Sequence, residues 1–233
     1  MREKIIGVIG GMGPEATVDV FAKMVSATPG RRDQDHLRII IDNNPKVPSR
    51  FKFIMGRGEN PLPTLIEMAK KLERYGADFL VIPCNAAHHF YDQIQKGVGI
   101  PILHIAKETL KHIRSMKLKH KKVGLMASGS TVKADIYQRV FRGSRIKLIV
   151  PNSEDQQVVT EAIYSFKKGE GAKRLQKGLL NVAHSLGKMG AEAIILGCTE
   201  LPVILKGVKS SVQFIDANDV LARAAVKKAT EKK

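Results

Sequence analysis

The amino-acid sequence predicts an α/β protein made of two similar doubly wound, flavodoxin-like parallel-sheet domains, related as a pseudo-twofold internal repeat. Three observations carry this expectation. Short runs rich in Ile and Val alternate with longer segments of helical period, which is the pattern of βα units. The opening "KIIGVIGGMGPEAT" from Lys4 returns as "KKVGLMASGSTVKA" from Lys121: a lysine, a short apolar strand holding one glycine, then a turn of small residues. Finally, "GADFLVIPCNAAHH" from Gly76 is echoed by "GAEAIILGCTELP" from Gly190, and each reaches one of the chain's 2 cysteines eight residues after its glycine.

In chain order, strands are expected at 5–9, 38–41, 79–82 and 102–104, and again at 123–126, 146–150, 193–196 and 213–215. The run at 5–9 is a buried first strand that ends in a glycine turn. Pro14 then suits the first turn of a helix, where its missing N–H leaves no bond unmade. "IDNNP" near Asp42 stands opposite "IVPNSED" near Asn152, and "IPILHIAKETL" stands opposite "VQFIDANDVLA". Leu65, Met68, Leu72 and Tyr75 recur at helical spacing, as do Leu175, Leu179, Val182 and Leu186, so both sets read as core stripes. Gly7 and Gly124 are 117 positions apart, and Cys84 and Cys198 are 114 apart, so the register of the repeat holds within a few residues. The first domain is expected over 1–100 plus 211–233 and carries Cys84; the second spans 101–210 and carries Cys198. The segment "DVLARAAVKKA" is expected to cross back onto the first half.

Composition narrows the function classes. With 233 residues, 43% hydrophobic and 26% charged, the chain is long enough for two cores and has the balance of a globular protein. No segment approaches the roughly 18 continuous apolar residues of a membrane span, and the apolar start is interrupted by glycines too early for a signal peptide. The expectation is a cytoplasmic protein with no membrane partner. Two cysteines make no disulfide framework, so they are read as free thiols. The net charge of +17 raises nucleic-acid binding, yet the basic residues are scattered apart from "KLKHKK" and the tail "KKATEKK". Aromatic residues amount to 5% with no Trp, which leaves little to stack bases on. A solvated basic surface that draws in small anions, with no nucleic acid, is the reading taken.

Open parallel sheets bind ligands beyond the carboxyl ends of their strands, where strand order reverses. Cys84 and Cys198 both fall just past such an end, as do the turns at 10–13 and 128–131. If the halves face each other across these edges, the two thiols approach one cleft from opposite sides. A helix beginning after each cysteine would lower the thiol pKa, and Asn85 and Thr199 could donate hydrogen bonds or cap the turn. A thiolate on one face of a carbon and a thiol on the other can remove a proton and return one, inverting the centre.

At these residues the chain resembles the aspartate/glutamate racemase family. "IILGCTELPVIL" is similar to its second signature and "VIPCNAAHHF" to its first; "IGVIGGMGPEAT", "DNNPKVPSR", "LMASGSTVKADIYQ" and "FKKGE" resemble the aspartate racemase branch. The resemblance covers nearly the whole chain. It implies a racemase that needs no cofactor and no metal, acts on a small amino acid with aspartate first, and forms a homodimer. Carried over by residue, it implies Cys84 and Cys198 as the two catalytic bases. It also implies Met12, Arg50, Asn85, Ser128, Thr131, Lys167 and Thr199 as substrate-binding residues. Arg50 and Lys167 suit a dicarboxylic substrate, since cations grip carboxylates and stabilise the charge left when the α-proton departs. Two positions depart from the family pattern: Ala86 stands where Thr is usual, and Ser128-Gly129-Ser130 where Thr and Gly are usual. Substrate choice among aspartate, glutamate and other amino acids therefore stays open.

Other readings compete. "GMGPEA" fits a dinucleotide-binding turn, but no acidic residue ends the next strand at the spacing such a site needs. "STVK" matches a serine-acylase motif without its companions. Cys84 with His88, and His89 or His104, could hold a metal, or His104 could serve Cys84 as the base of a hydrolase. Against these, His88 reads as a packing or hydrogen-bonding residue, His89 as surface and His184 as an interior or boundary residue. A related isomerase or decarboxylase on the same scaffold, and a basic RNA-binding protein, complete the alternatives.

Overall fold

The computed structural model describes residues 3–231, which form two compact units: 3–109 with 218–231, and Leu110–Ala217. The first unit begins with β1 (Ile6–Gly10), α1 (Pro14–Ala27), β2 (Ile39–Asn43), α2 (Arg50–Ile54) and α3 (Leu62–Arg74). It continues with β3 (Phe79–Val81), a short 3-10 turn (Asn85–Phe90), α4 (Tyr91–Lys96) and β4 (Ile102–Leu103), before α5 (Ile105–Ser115) carries the chain onward. The second unit holds β5 (Lys122–Ala127), α6 (Gly129–Lys133), α7 (Ile136–Phe141), β6 (Lys147–Ile149), α8 (Ser153–Lys167) and α9 (Ala172–Lys188). It closes with β7 (Ala193–Gly197), α10 (Glu200–Ile204) and β8 (Gln213–Asp216), after which α11 (Ala217–Thr230) returns to the first unit. All eight strands fall where the sequence puts them, to within about two residues at either end.

Both sheets are wholly parallel and have the same order, β2-β1-β3-β4 and β6-β5-β7-β8. In each, the chain steps to one side of its first strand and then to the other. Order therefore reverses between β1 and β3 in one unit and between β5 and β7 in the other. Central strands read as continuous apolar runs because helices cover both faces; β1 and β7 are buried along their whole length, while edge strand β2 is only partly covered.

The repeated glycines have structural causes. A Cβ on Gly7 would lie 2.5 Å from Leu80 Cδ2 and 2.9 Å from Ala77 Cβ, and one on Gly124 would lie 3.1 Å from Leu186 Cδ1. Both glycines thus let the neighbouring strand and helix close onto the sheet. Gly76 and Gly190 have φ of +90° and +93° and end α3 and α9 in the same way. Gly76 N–H donates to Glu73 O at 2.9 Å and Ala77 N–H to Leu72 O at 3.1 Å; Gly190 and Ala191 repeat the pair to Gly187 O and Leu186 O. These are Schellman stops, which require a left-handed residue just past the helix. The acid that follows then clamps the sheet's first strand or its approach: Asp78 Oδ2 accepts from Ile5 N–H at 2.6 Å, and Glu192 accepts from Lys119 and His120 N–H.

The helical stripes are core, with exceptions at their edges. Leu65, Met68 and Leu72 are buried in one cluster, and Leu179, Val182 and Leu186 in the other. Tyr75, expected in the first stripe, is 69% exposed, because it is the last residue before the Gly76 stop and the chain has already turned away from the core. His184, expected at the interior or its boundary, is exposed, since it lies off the arc formed by Leu179, Val182, Ala183 and Leu186. No helix among the described residues is long and apolar enough to cross a membrane.

Candidate active site

Each unit carries a set of chemically capable residues at the carboxyl edge of its sheet, at the point where strand order reverses. In the first unit this edge comprises the turn after β1 and the segment after β3. Gly11 has φ of +87°, donates its N–H to Thr17 Oγ1 at 2.8 Å, and has room for no Cβ because Asn44 backbone lies 2.3 Å from that position. The close approach that demands glycine is therefore the protein's own chain, not a pyrophosphate. Met12, next in the turn, is 5% exposed and belongs to the first unit's core.

Cys84 precedes the 3-10 turn in extended conformation (φ −139°) and is half-buried. Its sulfur has no hydrogen-bond partner among the described residues, so it makes none with His104. Its carbonyl accepts from Ala87 N–H at 3.2 Å and from His88 Nδ1–H at 3.0 Å. His88 Nε2 in turn accepts from Ile105 N–H at 3.0 Å. With one nitrogen donating and the other accepting, His88 is a neutral brace with no lone pair left for a metal. Burial lowers its pKa to about 4 and outweighs the hydrogen bonds that oppose the shift. His89, expected on the surface, is half-buried with its ring edge-on to Phe90 at 4.9 Å. Asn85 is buried beside Cys84.

Arg50 opens α2 behind the Ser49 cap. Its Nη1 donates to the carbonyls of Val47 and Pro48, both at 2.9 Å, while Nε is buried with no partner among the described residues. The guanidinium is thus anchored through Nη1, which leaves its Nε–Nη2 edge without a partner among the described residues. That edge has the fork geometry that takes a carboxylate bidentately.

In the second unit, Ser128 caps α6 immediately after β5. Its hydroxyl lies 3.1 Å from Ser130 Oγ and 3.0 Å from Thr131 Oγ1, and all three side chains are buried. Sequence reasoning singled out Ser128 and Thr131 and missed Ser130 as the third member of this hydroxyl cluster.

Cys198 follows β7 directly and is half-buried. Its Sγ–H donates to Glu200 Oε2 at 2.9 Å, and Thr199 Oγ1 donates to the same oxygen at 3.2 Å. Lys167, the last residue of α8, holds Glu200 Oε1 at 2.9 Å. Burial pushes the Glu200 carboxyl up, but the Lys167 charge and the hydrogen bonds from Cys198 and Lys167 outweigh it, so Glu200 stays ionised below the usual range. Lys167 and Thr199, read as substrate contacts, are thus both engaged by an acid that the sequence reading passed over. The available signal was an acidic residue two positions past the cysteine in "GCTEL". The helical run after Cys84 is six residues of 3-10 turn continued by the six of α4, while that after Cys198 is the five residues of α10.

Known proteins resemble the chain along most of its length. A broad specificity amino-acid racemase of Bacillus subtilis is 30% identical over 229 residues, covering 95% of this chain and 96% of its own. An aspartate racemase of Picrophilus torridus matches with a TM-score of 0.86 at 30% identity, over 98% of this chain and 95% of that one. An aspartate racemase homologue from Pyrococcus horikoshii matches with a TM-score of 0.78 at 26% identity, over 98% of this chain and 100% of that one. The profile of the Asp/Glu/hydantoin racemase family matches residues 9–225, so the chain belongs to that family and is an amino-acid racemase.

Proposed function

We propose that the protein racemises aspartate without a cofactor, by a two-base mechanism in which Cys84 and Cys198 address opposite faces of the α-carbon. One thiolate takes the α-proton, breaking the C–H bond and forming S–H. The electron pair left on carbon spreads into the α-carboxylate, and the opposite thiol gives up its S–H proton to form the new C–H bond. The reverse direction exchanges the roles, so nothing is consumed. The observation that carries this reading is the position of each sulfur, beyond the carboxyl end of its sheet at the reversal of strand order, where such sheets bind ligands.

The neighbours of the thiols support an anionic substrate. The unpartnered guanidinium edge of Arg50 suits one carboxylate, and the hydroxyls of Ser128, Ser130 and Thr131 supply donors for another. Such donors contribute most if they stabilise the charge that develops as the proton leaves. Likeness to the Picrophilus torridus aspartate racemase favours aspartate. Broad specificity is a second reading, favoured by the similarity to the Bacillus subtilis enzyme and by Ala86, which brings a methyl group to the first cysteine motif. The homodimer implied by the family resemblance and the cytoplasmic setting read from the sequence belong to the same proposal.

The test is loss of optical rotation from L-aspartate in deuterium oxide, with no pyridoxal phosphate or metal added, alongside a panel of other amino acids. Inversion with α-deuterium incorporation is expected, fastest for aspartate. Cys84→Ala and Cys198→Ala should each lower inversion by at least about a thousandfold, the scale on which a positioned acid or base contributes. Native inversion in either variant rules out the two-thiol scheme, and inversion of other amino acids as fast as aspartate selects the broad reading.

A further inference from the structure

We propose that Glu200 is a positioning residue that keeps Cys198 in its protonated form, so that Cys198 rests as the acid of the pair and Cys84 as the base; this rests on the two-thiol reading above. The geometry is specific. An ionised carboxylate can only accept hydrogen bonds, so the 2.9 Å contact from Cys198 Sγ to Glu200 Oε2 requires the proton on sulfur. Losing that proton would leave a thiolate against a carboxylate in a largely buried setting, where like charges are strongly disfavoured. Glu200 itself is held in place at both oxygens, by Thr199 Oγ1 at 3.2 Å and by Lys167 Nζ at 2.9 Å, and its side chain is only 13% exposed.

The repeat sharpens the inference. The two units share strand order, Schellman stop and cysteine position, but two residues past Cys84 stands Ala86, where the second unit has Glu200. Cys84 accordingly has a sulfur with no hydrogen-bond partner among the described residues. A symmetric scaffold thus carries an asymmetric pair, and one acidic side chain makes the difference. α10 packs against α8, α9 and β7, and the side chains from these elements and their ends that act on Glu200 include Lys167, Cys198 and Thr199. When Cys198 delivers its proton to carbon, the new thiolate faces Glu200. Repulsion then favours prompt reprotonation, from the substrate in the reverse reaction or from solvent after release.

The experiment titrates the thiolate ultraviolet absorbance of the Cys84→Ser protein, in which Cys198 is the sole remaining thiol. Adding Glu200→Gln should lower the Cys198 midpoint by about one pH unit or more, because the charge opposing ionisation is gone. Adding Lys167→Gln should raise it, because Glu200 is no longer neutralised. Opposite shifts are not the signature of a merely structural contact. A midpoint that stays put, or moves the other way in either variant, overturns the proposal. If circular dichroism shows that Glu200→Gln fails to fold, the sign of the Lys167→Gln shift decides. Native racemisation by Cys84→Ser would refute the two-thiol reading, while the titration would still show whether Glu200 holds the proton on Cys198. In the protein with both cysteines, Glu200→Gln should shift the pH limb of kcat with the sign seen in the titration.

Discussion

At Cys84 the backbone is held by a histidine that must stay neutral to do so. His88 donates from Nδ1 to the Cys84 carbonyl and accepts at Nε2 from Ile105 N–H, tying the cysteine to the start of α5. Its folded pKa of about 4 lies well below the ordinary 6.5, so between those values the unfolded chain binds the extra proton. Stability from this group is therefore complete above pH 6.5 and is lost as pH falls toward 4, a change on the order of 3 kcal/mol across the window. Urea unfolding at pH 7 and pH 4.5 should show this loss, and His88→Asn should flatten the dependence while lowering stability at pH 7. Equal pH dependence in both proteins would contradict the brace. Glu200 is the complementary case at the second thiol, a side chain that must stay charged.

Within the elements, the repeated motif "Gly-Ala-acid, apolar run, Cys" divides into parts with separate jobs. The glycine stops a helix, the acid fastens a neighbouring strand, the apolar run fills the sheet, and the cysteine is left just past the strand's end, where the proposed chemistry takes place. Gly76 has nothing within 4 Å of its would-be Cβ, so Gly76→Ala costs only the left-handed conformation, about 1 kcal/mol. Gly7→Ala forces a Cβ to 2.5 Å from Leu80 and 2.9 Å from Ala77, in a closely packed part of the sheet. It should destabilise by about 3 kcal/mol or more, as overpacking of a filled core does. Denaturant midpoints of the two variants should therefore separate clearly. If Gly76→Ala proves the more damaging, the assignment of roles is wrong.

Over the whole molecule, the chain's end belongs with its beginning. α11 lies in the unit that contains β1, with Leu221, Ala222 and Ala225 fully buried, Lys4 N–H donating to Ala229 O at 3.3 Å, and Lys228 over the Phe79 ring. Removing residues 218–233 should leave the first unit unable to fold stably, because a large apolar face loses its cover. Limited proteolysis should then cleave within 1–109 while sparing 110–217, and a truncated chain that resists protease throughout would refute this. The sequence by itself determined the α/β class, all eight strands, both stripes in outline and the place of each cysteine just past a strand, because period, glycine punctuation and internal repetition are local properties of the chain. Tyr75, His89 and His184 were misjudged because spacing does not say where a helix stops or which arc of it faces the core. Only the tertiary structure decided that Asn44 closes the Gly11 turn, that His88 braces Cys84, and that Lys167, 33 positions before Glu200, holds that acid against Cys198. Such partners lie far apart along the chain and meet only once the sheets have set which loops share an edge, and no pattern in the sequence encodes a distance between them.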